Sequence, residues 1–379
     1  MPDGVDVARG ISSSPGGGGT DRFLGVNPSS SFPAGLAADS TPPAGIPEGG
    51  LWDGIDPDLA RRTLDRLAIV EERLRAAAAN ADSLADQTSR HLVEAGGKRL
   101  RPVLALLAAE FGEADREQVV DVAVTVELTH LASLYHDDVM DSAPVRRGAP
   151  SAHEVWGNSV AILTGDLLFA RASLTVAKLG PEAVRLQAET FERLCLGQLH
   201  ETVGPRPGED PGAHYLQVLA DKTASLLATS ARLGAMYAGC SQQVIDIVAE
   251  FGELVGIGFQ LSDDVIDLAP ADSATGKTPG TDLREGVVTM PVLLLRERVL
   301  GSGIPEDAAL LAAIEGDLGD DEILADVVAR LRDHPVAAEA KRLASDYAER
   351  AVRLLDGLPD VPARAALTSY ARALVERAR

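Results

Sequence analysis

The residues best able to do chemistry lie between Leu128 and Gly148. An apolar helical pattern ends there in Asp137, Asp138 and Asp141, with Arg146 and Arg147 just beyond. At about 100° per residue, Asp137 and Asp141 share a helix face and Asp138 lies on their flank. Three carboxylates so close repel one another in a low-dielectric site. A hard divalent cation between them removes that conflict, and Mg²⁺ prefers carboxylate and phosphate oxygens. The arginines suit an anion, because a guanidinium grips phosphate bidentately. Carboxylates, metal and arginines together point to a phosphorylated substrate.

A second stretch nearly repeats the first. Asp263 to Pro270 reads Asp-Asp-Val-Ile-Asp-Leu-Ala-Pro, against Asp-Asp-Val-Met-Asp-Ser-Ala-Pro for Asp137 to Pro144. Gln260, Asp263, Asp264 and Asp267 follow i, i+3, i+4, i+7 and share one helix face. The flanking Phe259, Leu261, Val265, Ile266 and Leu268 are apolar, so this helix is expected to be buried. Buried carboxylates need metal or cationic partners. Two walls facing one metal cluster is the simplest account. The candidate ligands are therefore Asp137, Asp138, Asp141, Asp263, Asp264 and Asp267.

Three further segments carry charge in suggestive places. Gly96-Gly97 ends one helical pattern and Lys98-Arg99-Leu100-Arg101-Pro102 opens the next. Glycines followed by basic residues at a helix start make an anion cradle, because free N–H groups point at the ligand. His130 lies seven residues before Asp137 on the same stripe. It also forms a Glu-x-x-His pair with Glu127, but with no second pair in the chain a di-iron bundle is disfavoured. Asp221-Lys222-Thr223-Ala224 sits in a stretch of small residues; from this segment alone, a pocket-facing and a solvated Lys222 are equally good readings.

The elements that must position these residues read as helices. The chain has 379 residues, 45% of them hydrophobic and 4% aromatic. Helical spacing covers Asp58 to the alanine run after Arg75, Ser83–Ala95, Val103–Phe111, Arg116–Met140, Ser151–Lys178, Pro181–Thr202, His214–Ala238, Val244–Leu268 and Val287–Leu300, with further segments to the end. No strand alternation is visible. Residues 1–50 are rich in Gly, Pro and Ser, and cannot bury enough apolar area to offset their ordering entropy, so a disordered tail is expected. Residues 51–379 read as one all-α domain.

The net charge of −22 argues against a nucleic-acid surface or a general attraction to anionic lipid. It also makes the local Lys/Arg clusters more informative. Cys195 and Cys240 lack metal-type spacing and exclude a disulfide framework, which suits a reducing, cytoplasmic setting. No secretory signal and no membrane-length apolar run is expected.

Taken together, these segments resemble the trans-isoprenyl diphosphate synthases over nearly the whole chain after the tail. The resembling pieces are Gly96 to Pro102, Leu134 to Asp141, Arg146 to Gly148, Gly157-Asn158 with Gly165-Asp166, Lys222 to Ala224, and Gly258 to Asp267. Each is a moderate signal; all of them in this order are a strong one. The resemblance implies an all-α isoprenoid-synthase bundle around a central active-site cavity, usually a homodimer. It implies a Mg²⁺-dependent, head-to-tail trans-condensation of isopentenyl diphosphate with an allylic diphosphate. Lys98, Arg101, His130 and Arg147 would hold isopentenyl diphosphate, and Arg146, Lys222 and Lys277 the allylic diphosphate. Asp137, Asp141 and Asp263 would be the main ligands of about three Mg²⁺ ions. Thr223 and Gln260 would turn oxygen dipoles toward the developing carbocation, with Lys222 beside them. In one departure, Gly286-Val287-Val288-Thr289 stands where the family often has Gly-Lys, so one phosphate-facing lysine is missing.

Product length is approached through the residues below Asp137. Short-chain members place aromatics four and five residues before the first aspartate; here those positions are Ser133 and Ala132. At about 1.5 Å per residue, small side chains there move any tunnel floor at least a turn or two deeper, and the resemblance then implies a product of about C30 to C50, suited to a quinone side chain and to release into a membrane. Three alternatives compete: a short-chain geranylgeranyl-type synthase, a class I terpene cyclase, and a non-catalytic subunit of a heteromeric synthase. The second triad and the basic cradle count against the cyclase, and two intact triads count against the non-catalytic subunit.

Overall fold

The structure is a computed structural model that describes residues 55–270 and 279–375. The expected tail (1–50) and Lys277 lie outside the described residues. The helices are α1 (Pro57–Ala78), α2 (Ser83–Glu94), α3 (Leu100–Ala109), α4 (Glu117–Met140), α5 (Ala152–Trp156), α6 (Asn158–Ala177), α7 (Pro181–Val203), α8 (Pro211–Leu219), α9 (Ser225–Tyr237), α10 (Gln242–Ile266), α11 (Thr281–Arg284), α12 (Met290–Ser302), α13 (Pro305–Ile314), α14 (Asp321–Asp333), α15 (Pro335–Leu354) and α16 (Pro362–Val375).

Local chemistry explains many of the boundaries. Asp56, Asp82, Asp210 and Asp320 each accept hydrogen bonds from free N–H groups at the starts of α1, α2, α8 and α14. Such caps are each worth about 1 kcal/mol. Proline opens α1, α7, α8, α13 and α15, where its missing N–H has no partner to lose.

The segment His214–Ala238, expected as one helix, is interrupted. A π-helical turn at Ala220–Ala224 separates α8 from α9. Such insertions concentrate at functional sites. One short antiparallel pair also forms, β1 (Val145–Arg146) with β2 (Ala149–Pro150). Its turn residues, Arg147 and Gly148, have φ of 54° and 77°, as a type I′ hairpin turn requires.

The main core draws on α1–α4, α6, α9, α10 and α16, around fully buried Tyr135, Tyr370 and Phe251. α4 packs along α6, α3 and α9, while α10 packs along α9 and α15. α9 therefore stands between the two helices that end in the aspartate octads. Glycine makes that packing close: a Cβ at Gly234 of α9 would lie 2.2 Å from the Ala105 carbonyl of α3, and one at Gly256 of α10 would lie 2.4 Å from Ala224 Cα. α6 is long and apolar enough to cross a membrane by length and composition. It is instead a bundle helix, with Ala161, Thr164, Gly165, Leu168, Ala172 and Val176 buried against its neighbours.

Candidate active site

The three aspartates that end α4 are not equivalent. Asp137 is half-buried and Asp141 exposed, but Asp138 is fully buried. Asp138 points to the hairpin, where its Oδ1 accepts from Arg146 Nε at 2.5 Å. Its Oδ2 is buried without a hydrogen-bond partner. Burial pushes the Asp137 carboxyl up to about 6, with Asp141 adding repulsion and Lys222 and Arg146 pulling the other way. The Asp137 carboxyl thus lies within electrostatic reach of one further acid on its own helix end and of two cations from other elements. Arg146, expected on an allylic diphosphate, has its Nε taken by Asp138, which leaves the terminal guanidinium nitrogens.

The second octad divides the same way. Asp263 and Asp267 are half-buried, whereas Asp264 is 3% exposed. Asp264 Oδ2 accepts from the Tyr215 hydroxyl at 2.7 Å and from the Met290 backbone N–H at 3.1 Å. Burial raises its carboxyl to about 8 despite those donors. Asp267 Oδ2 accepts from the Asp282 N–H at 3.2 Å. The shared face expected for Gln260, Asp263, Asp264 and Asp267 therefore splits, because the packing of α8 and α12 claims Asp264.

The π-turn brings Lys222 and Thr223 to this centre. Lys222 is half-buried and its Nζ pairs with Glu201 at the end of α7. Thr223 Oγ1 donates to Gln260 Oε1 at 3.3 Å. Held there by Glu201, Lys222 is close enough to lower the Asp137 carboxyl through space. α7 holds the turn in place. A Cβ at Gly197 would lie 2.6 Å from Lys222 N. Arg193 donates to Asp221 Oδ1 at 2.7 Å and to the Ala220 carbonyl at 3.2 Å.

The basic residues converge on a separate cluster. His130 is held well below its usual pKa, first by burial and then by Arg101, Arg147, Arg99 and Arg146. Its imidazole is therefore neutral near pH 7. Arg101 Nε is buried without a hydrogen-bond partner. A buried guanidinium nitrogen without a partner is costly, although Glu127 and Asp137 lie within electrostatic reach of Arg101. Lys98 is exposed at the rim. Arg147 donates to the Leu92 carbonyl at 3.1 Å and to the Gly96 carbonyl. Gly97 must be glycine here: its φ is 142°, and a Cβ would lie 2.6 Å from Arg147 Cζ.

Sequence reasoning missed the residues that build this cluster. Arg99, in the left-handed region at φ 48°, is buried and joins Glu71 of α1 to Glu127 of α4, with a 2.8 Å contact to the latter. Glu127, read as half of a Glu-x-x-His pair, is thus a counter-ion. Tyr215 and Glu201 were also missed, because nothing in their neighbourhoods marks their distant partners. Of the two residues expected to govern chain length, Ala132 does not line open space, because it is packed into the core at 1% exposed, while Ser133 is half-buried and donates to the His130 carbonyl at 2.9 Å.

Comparison with known proteins identifies the fold and the family. The profile of the polyprenyl synthetase family matches residues 82–329. The chain is 44% identical over 313 residues to nonaprenyl diphosphate synthase of Mycobacterium tuberculosis, covering 82% of this chain and 92% of that protein. It is 39% identical to heptaprenyl diphosphate synthase component 2 of Geobacillus stearothermophilus, covering 81% and 94% respectively. Among solved structures, geranylgeranyl pyrophosphate synthase of Corynebacterium glutamicum, complexed with calcium and isoprenyl diphosphate, superposes with a TM-score of 0.74 at 44% identity, over 85% of this chain and 98% of that one. Paired acidic helix ends, a buried basic cluster, an all-α bundle and these similarities lead to one conclusion: the chain belongs to the polyprenyl synthetase family of prenyltransferases.

Proposed function

We propose that this protein is a Mg²⁺-dependent long-chain polyprenyl diphosphate synthase, condensing isopentenyl diphosphate with an allylic diphosphate to give a product of about C30 to C50. The observation that carries the reading is the pairing of two acidic helix ends with a separate buried cationic cluster, one centre for each diphosphate.

The donor set fits Mg²⁺, which takes carboxylate oxygens and retains open positions for phosphate. Asp137 and Asp141 on one wall, with Asp263 and Asp267 on the other, would hold it. Among the described residues no three potential ligands converge tightly enough to hold an ion by themselves, so diphosphate oxygens would complete the shell. The metal supplies charge neutralisation of the diphosphate leaving group. Lys222 and Arg146 add positive charge on the same side as the C–O bond breaks. Arg101, Arg147, neutral His130 and Lys98 hold isopentenyl diphosphate with its double bond toward the allylic carbon. Thr223 and Gln260 stabilise the cation with oxygen dipoles, and the apolar walls exclude water. The new carbon–carbon bond forms between the allylic C1 and the isopentenyl double bond. A proton then leaves the adduct for the departed diphosphate. Small, half-buried Ser133 leaves room for the lengthening tail, whereas Ala132 is packed into the core and does not line it.

A homodimer is part of this reading. α6 and α7 expose Ile162, Leu163, Leu174, Val184, Leu199 and Val203, an apolar face that a second copy would cover. A heteromeric assembly on the same face is the second reading, favoured by the similarity to a protein named as a component. The decisive experiment incubates the purified chain alone with Mg²⁺, labelled isopentenyl diphosphate and C5 to C20 allylic primers, then sizes the products and measures the mass in solution by light scattering. Long polyprenyl products from a dimer are expected. No elongation with any primer refutes the function for the chain alone; elongation by a monomer refutes the assembly.

A further inference from the structure

Asp264 sits beside Asp263 in the sequence yet is buried where Asp263 is half-buried. Its Oδ2 receives one donor from α8, the Tyr215 hydroxyl, and one from the first residue of α12, the Met290 N–H. The Asp264 carboxyl lies at the N-terminus of α12, where a free N–H group needs an acceptor. One side chain of α10 thereby joins three elements.

These joints flank the reactive centre. Tyr215 lies seven residues before Lys222, and the eighth residue after it, Thr223, bonds Gln260 at 3.3 Å. Asp264 lies four residues after Gln260. Two rungs, Tyr215–Asp264 and Thr223–Gln260, therefore bridge the α8–π-turn segment and α10. Asp263 falls between the two rungs on α10, and Lys222 precedes the second rung on the turn. The third contact, to Met290, anchors the segment that returns from Asp282, whose N–H is bonded to Asp267.

We propose that Asp264 is a positioning residue and not a metal ligand: with Tyr215 and the N-terminus of α12, it sets the register between Lys222 and the metal-facing carboxylates Asp263 and Asp267. The inference rests on the proposed function, since it assigns metal binding to the neighbouring aspartates. Loosening the rung displaces ligands already on the protein, so the effect falls on metal and allylic diphosphate binding. The isopentenyl diphosphate cluster, built on α3, α4 and the hairpin, shares none of these joints.

The test compares wild type, Tyr215→Phe, Asp264→Asn and Asp263→Asn. Tyr215→Phe removes only the hydroxyl and keeps the ring. Losing one such hydrogen bond is expected to raise the half-saturating Mg²⁺ concentration and the KM for the allylic diphosphate about three- to tenfold, with the KM for isopentenyl diphosphate unchanged. Asp264→Asn, which keeps an acceptor oxygen, should regain turnover at high Mg²⁺, while Asp263→Asn should not. The inference is overturned if Asp264→Asn is as inactive as Asp263→Asn at every Mg²⁺ concentration while still melting cooperatively. It is overturned equally if Tyr215→Phe leaves the Mg²⁺ curve unmoved or shifts both KM values alike. Failure of wild type to elongate any primer would instead count against the proposed function.

Discussion

Replacing Ser133 by Phe should turn a long-chain enzyme into a short-chain one, and the size of the change follows from the helix. Ser133 lies four residues before Asp137, about 6 Å lower along α4. An extended five-carbon unit spans four carbon–carbon bonds of about 1.5 Å, or roughly 5 Å end to end. From Asp137 to the start of α4 at Glu117 is 20 residues, about 30 Å of helix and room for roughly six units, or about thirty carbons. A phenyl ring at position 133 leaves space for one or two units below the reacting carbon, so products of about C10 to C15 are expected. Ser133 suits the test because it is half-buried and gives up only a bond to the His130 carbonyl. Ala132 does not: it is core, and a Cβ at Gly165 would already lie 3.1 Å from its carbonyl, so a phenyl there overpacks by about 1–3 kcal/mol. The assay extends C5, C15 and C20 primers with labelled isopentenyl diphosphate and sizes the dephosphorylated products by reversed-phase chromatography, with a thermal melt as folding control. The variant should extend the C5 primer and reject C20. An unchanged product ladder from a folded variant would show that the tail does not run along this face of α4.

Two further outcomes follow from buried charge. Arg99→Met removes the cation shared by Glu71 and Glu127 and leaves them only longer contacts, to Arg75 at 3.7 Å and to Arg147 at 3.8 Å, which should cost about 3 kcal/mol in urea unfolding; a loss below about 1 kcal/mol would mean that the remaining contacts suffice. Metal binding needs Asp137 ionised, and its carboxyl is raised to about 6, so the half-saturating Mg²⁺ concentration should climb about tenfold per pH unit below that value and level off above it. Titrations between pH 5 and 8 check this, and a flat curve contradicts it. The stability term has the same origin. An acid raised in the folded state stabilises below its unfolded value, 3.8, and that contribution is lost as pH rises through about 6 for Asp137 and about 8 for Asp264. Metal-free wild type should therefore lose stability relative to Asp264→Asn across that window.

The sequence by itself determined most of the helices and the family. Helical periodicity, aspartate caps and opening prolines are local, so most helices could be read before any packing was known. The twin octads and the Gly-Gly-Lys-Arg-x-Arg run announced metal and phosphate because unlike functions rarely need such charge density at helix ends. Only the tertiary structure decided which members of those runs are buried against neighbouring elements and which stay more exposed. Asp137 and Asp138, or Asp263 and Asp264, are adjacent in the chain but about 100° apart on a helix, and the packing of neighbours decides which of each pair is buried. Asp138 went to Arg146 and Asp264 to Tyr215 and α12. Arg99, one residue from Lys98 and two from Arg101, became the buried cation between Glu71 and Glu127. The π-turn at Lys222 escaped the sequence for the same reason: it depends on α7 pressing Gly197 and Arg193 against it, contacts that no local pattern encodes.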